Sequence, residues 1–141
     1  MYAAVARHLQ DRADLLMADR LDDLAGLYLL PQAIYLGDAP WVLTSATEVI
    51  TALGRLRQLM QDRHVHTCTA NVTALELPRR GRFRAWVRWD EVSADPWHSA
   101  SSTGVYYFRV TPDGLMNEML EFPQISLPEF RQVTRPQQRI A

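Results

Sequence analysis

The hydrophobic period changes once along the chain, near residue 64, and this change limits the possible folds more than any other feature. Before it, apolar residues recur at the three- and four-residue spacing of amphipathic helices. After it, they alternate with polar residues, as in half-buried strands. A chain that places helices before a run of strands must pack one layer on the other, so the sequence predicts an α+β fold.

Two consecutive helices are predicted for residues 3–28, with a bend where the apolar spacing slips at Ala18 and Asp19. Pro31 is predicted to end the second helix, because proline disfavours helical geometry in the residue before it. Residues 33–36 are then expected to form a short strand, and the sequence GDAP after them is typical of a turn.

A third helix begins at a capping box, in which Ser45 is the N-cap residue and Glu48 follows three positions later. It is predicted to run to about Arg63. Four long strands follow, in the sequences VHTCTANVTALEL, RFRAWVRWDEV, STGVYYFRVT and LMNEMLEF. The chain is read as one domain with its core in residues 5–122 and a proline-spaced tail in residues 123–141.

Composition excludes several classes of function. All 15 side chains of the Lys+Arg class are arginine, so lysine-dependent Schiff-base and P-loop chemistry is excluded. The net charge of −1 gives no general attraction to nucleic acid or to membranes, and neither is expected as a partner. The N-terminal residues do not resemble a signal peptide, and a single cysteine fits a reducing cytoplasm.

The sequence HVHTCTANV places His64, His66 and Cys68 on alternate positions of the first long strand. His64 and Cys68 would lie about 13 Å apart, too far to share one tetrahedral ion, so only His66 with one of them could ligate. No H-E-x-x-H or C-x-x-C motif supplies a third ligand, and no metal site is predicted. By pattern, His66, Cys68, Ala70 and Val72 should face the helices. A bulge is expected near Ala74 or Leu75, where the alternation breaks.

The order of elements resembles the nuclear transport factor 2-like superfamily, in its SnoaL-like polyketide cyclase branch. The matching stretches are ADLLMADRLDDLAGLY, the short strand before GDAP, the capped third helix and the ending TPDGLMNEMLEF. The resemblance implies a cone-shaped fold, in which three N-terminal helices close a strongly curved, mostly antiparallel sheet around a pocket. Superfamily members include isomerases, dehydratases, cyclases and binding proteins.

Three residues are candidates for catalysis within such a pocket. His66 would lie near the mouth of the cone, or would be a core histidine hydrogen-bonded to a neighbour. Asp38 follows the first short strand, where isomerases of the superfamily use an aspartate, but Gly37 fits that place equally and an aspartate is ordinary turn chemistry. Glu118 would be a buried general acid, or would form a salt bridge with an arginine such as Arg109.

The pocket is expected to bind a small hydrophobic or aromatic molecule through an apolar wall. The predicted ligand-binding residues are Tyr35, Trp41, His66, Trp89 and Tyr106. A small-molecule-binding protein is the first functional hypothesis. The alternatives are a cofactor-independent isomerase, dehydratase or cyclase using histidine or acid general acid–base catalysis, and an interaction module whose cone is filled by its own side chains. A cavity below roughly 300 Å³ would favour the module.

A homodimer is predicted through the outer face of the sheet. Arg84, Trp86 and Arg88 alternate with the inward side chains of the second long strand. A tryptophan framed by arginines is typical of protein interfaces. Superfamily members often dimerise through this face.

Overall fold

The computed structural model describes residues 1–37 and 40–126. Within these ranges, three α-helices pack on one curved, six-stranded sheet, which confirms the predicted α+β class. The helices are α1 Tyr2–Met17, α2 Leu21–Ala25 and α3 Ala46–Asp62. The strands are β1 Tyr28–Tyr35, β2 Pro40–Leu43, β3 Val65–Leu75, β4 Arg82–Ser93, β5 Ala100–Thr111 and β6 Gly114–Gln124.

The strand order in the sheet is β2-β1-β6-β5-β4-β3. β3, β4, β5 and β6 form an antiparallel meander, and β1 joins it by pairing in parallel with β6. β2 then pairs antiparallel with β1 at the edge. The apolar stripes of the helices and the inward residues of the strands meet in one core.

The third helix begins as the sequence predicts. Ser45 Oγ accepts a hydrogen bond from the backbone N–H of Glu48, at 3.1 Å. The Glu48 carboxylate reaches back to Thr44 rather than to Ser45, and accepts from its backbone N–H at 3.1 Å. The first bond satisfies a donor that the first helical turn leaves without an intrahelical partner, and the second holds the residue before the N-cap against the helix.

The region before the third helix differs from prediction. α2 ends at Ala25, and the chain is already extended at Tyr28, so the expectation that Pro31 ends a helix was wrong. Pro31 instead lies exposed within β1, where the pairing with β6 is irregular between Tyr28 and Ala33. A proline cannot donate to a ladder, so it is tolerated where the ladder is already interrupted. The strand β2 was not predicted.

A buried polar pair fixes the first strand against the last. Gln32 and Asn117 are both fully buried. With the Gln32 amide oriented to suit its neighbours, its oxygen accepts from Asn117 Nδ2 at 2.7 Å and its nitrogen donates to the Asn117 carbonyl at 2.8 Å. Buried polar groups must be paired, so this exchange specifies the register of β1 beside β6. Across the part of the chain that is described, no helix combines the length and apolarity needed to span a membrane.

Candidate functional site

A cavity of about 110 Å³ lies between the helices and the inner face of the sheet. Its wall is almost entirely apolar, with a few polar side chains at defined places. The apolar lining residues are Ala13, Leu16, Leu24, Tyr28, Ile34, Leu43, Val49, Ala52, Leu53, Leu56, Met60, Trp89, Tyr106, Leu120, Phe122 and Ile125. The polar ones are Arg12, Cys68, Glu91 and Ser102.

Trp89 and Tyr106 lie in this wall, as their inward positions on the strands predict. Trp89 and Tyr106 pack edge to face, with ring centroids 6.1 Å apart. Burial strongly raises the pKa of the Tyr106 phenol, while a hydrogen bond with Trp89 opposes that shift. The phenol therefore stays protonated at neutral pH and can act as a hydrogen-bond donor.

Arg12 is a cavity residue that was not predicted from the sequence. It extends from α1 and is only 3% exposed. Its guanidinium carbon lies 4.6 Å from the centre of the Tyr28 ring and 5.4 Å from that of Tyr106. Neither Nη1 nor Nη2 has a hydrogen-bond partner among residues 1–37 and 40–126. The cavity thus contains a buried cation held between aromatic faces, with free donors.

Glu91 is the second missed residue, and it is 8% exposed. Ser126 Oγ lies 2.7 Å from one carboxylate oxygen and 2.9 Å from the other. Ser102 Oγ lies 3.4 Å from Oε1 and 3.0 Å from Ser126 Oγ. Burial raises the pKa of Glu91, while these hydroxyl groups and the charge of Arg63 oppose the shift. Burial thus shifts the protonation equilibrium of Glu91 toward its neutral form, relative to a carboxyl group in water.

Cys68 faces the cavity, as predicted from its strand position. Burial raises the pKa of its thiol to about 12, and the negative charge of Glu91 adds to the shift. Because the thiolate is the nucleophilic form, Cys68 is an inert part of the cavity wall at neutral pH.

His66 does not reach the cavity, and the expectation that it faces inward was wrong. Val65 pairs with Ser93 and Thr67 with Val92, so two steps along β3 match one step along β4. His66 is the extra residue of a β-bulge, and its side chain is exposed. A bulge changes the face on which the following residues lie. His66 is thus separated from the inward positions that begin again at Cys68.

Glu118 is displaced from the predicted inward face in the same way. Tyr107 pairs with Met119 and Phe108 with Asn117, which leaves Glu118 as the extra residue on β6. Its carboxylate forms salt bridges with Arg82, at 3.0 Å, and with Arg109. The salt-bridge alternative is therefore the observed one, and Glu118 is absent from the described lining of the cavity.

The other predicted residues lie at varied positions. Trp41 is buried in β2 but does not contribute to the described cavity lining. Tyr35 follows the lining residue Ile34 and therefore points to the opposite face of β1. Asp38 lies outside the described residues.

The three residues considered as possible metal ligands, which alternate along the sequence HVHTC, lie in different environments. His64 is exposed in the turn before β3, His66 is exposed at the bulge, and Cys68 faces the cavity. Over the described ranges, no three His, Cys, Asp or Glu side chains are grouped so that they could hold a metal ion.

A local signal for both missed residues exists in the sequence. Arg12 follows Leu9 by three positions and precedes Leu16 by four, so it interrupts the buried stripe of α1. Glu91 lies two positions after Trp89 on the inward face of β4. Charged residues are rarely buried, so a charged residue at a position that the helical or strand pattern assigns to the core marks a candidate functional residue.

The outer face of the sheet carries paired charges around Trp86. Arg84 donates to the Glu76 carboxylate from Nε at 2.9 Å and from Nη2 at 2.8 Å. Its guanidinium carbon lies 4.9 Å from the Trp86 ring centre. Arg88 pairs with Asp90 at 3.1 Å. The three residues of the predicted interface thus form one surface, partly neutralised by acids of the same chain.

Comparison with solved structures identifies the fold. A nuclear transport factor 2-like protein of unknown function from Shewanella oneidensis aligns with a TM-score of 0.66 at 10% identity, over 86% of this chain and 98% of that one. The protein Aln2 from a Streptomyces species aligns with a TM-score of 0.67 at 11% identity, over 96% of this chain and 94% of that one. A protein from Novosphingobium aromaticivorans, named as a candidate scytalone dehydratase, aligns with a TM-score of 0.60 at 11% identity, over 88% and 83%.

The protein therefore has the nuclear transport factor 2-like fold, which confirms the predicted resemblance at the level of fold. Protein-family profiles and curated protein sequences give no match to the chain. At these identities the similarity defines the architecture, and the SnoaL-like branch stays a prediction.

Proposed function

We propose that the protein binds a small, mainly apolar molecule in the cavity between the helices and the sheet. The observation that carries this proposal is the cavity wall, whose described lining residues are aliphatic or aromatic apart from Arg12, Cys68, Glu91 and Ser102. Ligand sites typically combine an apolar lining with a few placed polar groups.

The cavity volume limits the size of the ligand. About 110 Å³ is below the roughly 300 Å³ of usual ligand sites, and this criterion alone favours a domain filled by its own side chains. Arg12 favours a ligand instead, because Nη1 and Nη2 have no partner among residues 1–37 and 40–126, whereas buried polar groups are usually hydrogen-bonded. For scale, an apolar cavity of about 150 Å³ accommodates benzene.

Native mass spectrometry of the purified protein, before and after denaturation, tests for a bound molecule. We expect a defined extra mass that is released on denaturation. Ala52→Leu should fill the cavity and remove that mass, whereas Ala46→Leu, at an exposed position of the same helix, should keep it. An extra mass that Ala52→Leu retains would place the ligand elsewhere.

A second candidate function is proton transfer to or from a bound substrate, as in a cofactor-independent isomerase, dehydratase or cyclase. Glu91 favours this function, since it is a buried carboxyl group with a raised pKa in the same cavity. A general acid or base is most effective when its pKa lies near the working pH.

Hydrogen–deuterium exchange into the ligand tests this second function. The co-purifying molecule would be incubated with the protein in D₂O, and its mass followed over time. A proton-transfer enzyme should incorporate deuterium at carbon, and Glu91→Gln should bind the molecule without incorporating it. Binding without exchange in the natural protein would contradict catalysis and leave the binding function intact.

The homodimer remains part of the proposal. Support comes from the half-buried Trp86 between Arg84 and Arg88 on the outer face of the sheet. Sedimentation equilibrium should give a dimer, which Trp86→Glu should dissociate. Trp97→Glu is the control, because Trp97 is 92% exposed outside the sheet. A monomeric natural protein would contradict the proposal.

A further inference from the structure

We propose that the cavity selects small molecules carrying a carboxylate, with the carboxylate bound by Arg12 and an apolar body against the surrounding wall. This inference rests on the proposed binding function and specifies the ligand class. The basis is the buried Arg12 guanidinium, whose Nη1 and Nη2 have no hydrogen-bond partner among the described residues.

Arg12 has no compensating anion among residues 1–37 and 40–126. It is 3% exposed, and neither Nη1 nor Nη2 has a hydrogen-bond partner in the described part of the chain. Removing a guanidinium from water costs several kcal/mol unless an opposite charge and hydrogen bonds compensate. Two free donors at the end of one planar group match the two oxygens of a carboxylate.

Glu91 does not supply the missing charge. It is the one acid among the described residues lining the cavity, and its oxygens are occupied by Ser126 and Ser102. No salt bridge joins Arg12 to Glu91 within the described ranges. Among residues 1–37 and 40–126, the cavity therefore holds one cation without an anionic partner, which a bound carboxylate would supply.

The aromatic contacts of Arg12 position it without satisfying it. The guanidinium carbon lies over the Tyr28 ring, 4.6 Å from its centre, and over the Tyr106 ring, 5.4 Å from its centre. A contact of this kind does not use the N–H donors, and neither Nη1 nor Nη2 donates to an acceptor among residues 1–37 and 40–126. The two tyrosine rings thus restrict the orientation of the Arg12 guanidinium, so its side chain loses less conformational entropy when a carboxylate binds.

A matched pair of ligands separates charge from shape. Isovalerate and isovaleramide have the same branched carbon skeleton and differ in the group that would meet Arg12. Titration at neutral pH, followed by protein-observed NMR, should show that isovalerate binds about tenfold tighter or more, the range expected for hydrogen bonds to a charged group. Xenon, which probes only the apolar cavity, should bind in either case.

Three variants assign the preference to Arg12. Arg12→Met removes the charge at similar length and should abolish the difference between acid and amide, while xenon binding persists. Arg12→Lys keeps the charge and should retain part of the difference. Arg7→Met is the matched control, since Arg7 is exposed on the same helix, and it should bind as the natural protein does.

The outcomes distinguish this inference from the proposed function. Equal affinity for isovalerate and isovaleramide in the natural protein would overturn the carboxylate inference and support apolar binding. A preference that survives in Arg12→Met would overturn the role of Arg12. Failure of isovalerate, isovaleramide and xenon alike would overturn the binding function itself. The comparison in the natural protein decides the inference even if Arg12→Met does not fold.

Discussion

Ser126 Oγ lies 2.7 Å from Oε2 of Glu91, which connects the end of β6 to the buried acid of β4. Ser126 is also held by its backbone N–H, which donates to Ser102 Oγ at 2.9 Å. The chain just after β6, which the sequence pattern predicts as part of a tail, therefore contributes directly to the cavity through Ile125 and Ser126.

Replacing Ser126 should destabilise the protein, because its hydroxyl group is bound to the buried Glu91 carboxylate. Ser126→Ala removes a hydrogen bond to a buried carboxylate, and we expect a loss of about 1–3 kcal/mol in the free energy of unfolding. Urea denaturation measures the change. Ser101→Ala is the control, because Ser101 donates to Asp90 at 2.8 Å on the exposed surface. Equal losses in the two variants would contradict a special role for Ser126.

The stability of the protein should depend on pH through Glu91. Its pKa in the folded protein is raised above the ordinary 4.5, so the folded state binds more protons than the unfolded state above that pH. The stabilisation from this linkage is fully present below pH 4.5 and is lost as pH rises through the folded pKa.

Glu91→Gln removes this titration. Urea denaturation across pH 4 to 8 should therefore show the natural protein losing stability relative to Glu91→Gln as pH rises. Parallel profiles for the two proteins would show that Glu91 titrates normally in the fold.

Cys68 should resist alkylation while the protein is folded. With a thiol pKa of about 12, the reactive thiolate is scarce at pH 8. Iodoacetamide should label the native protein slowly, and should label it quickly in concentrated guanidinium chloride, which restores an ordinary thiol. Mass spectrometry measures both rates. Rapid labelling of the native protein would show that Cys68 is accessible and ionised.

His66 and Trp89 should respond very differently to truncation. His66→Ala changes an exposed residue and should shift the free energy of unfolding by no more than about 0.5 kcal/mol. Trp89→Ala enlarges the cavity and should cost about 3–5 kcal/mol. Any extra mass detected by native mass spectrometry should survive His66→Ala. Loss of that mass in His66→Ala would show that His66 contributes to ligand binding.

Local patterns predicted most of the elements, because amphipathic spacing and capping are properties of adjacent residues. The Ser45 cap and the inward face of β4, including Trp89, follow from such spacing. The parallel pairing of β1 with β6 and the edge strand β2 do not, since they depend on contacts between distant segments.

The class of fold follows from the sequence pattern alone, because a change from helical to alternating period requires a layer of helices on a sheet. Which side chains reach the cavity depends on how the elements pack. His66 and Glu118 each lie at a bulge, where one inserted residue reverses a face that strict alternation assigns. Arg12 of α1 and Glu91 of β4 line one cavity only because the helices pack on the sheet, and a charged group acquires its desolvation cost through that burial.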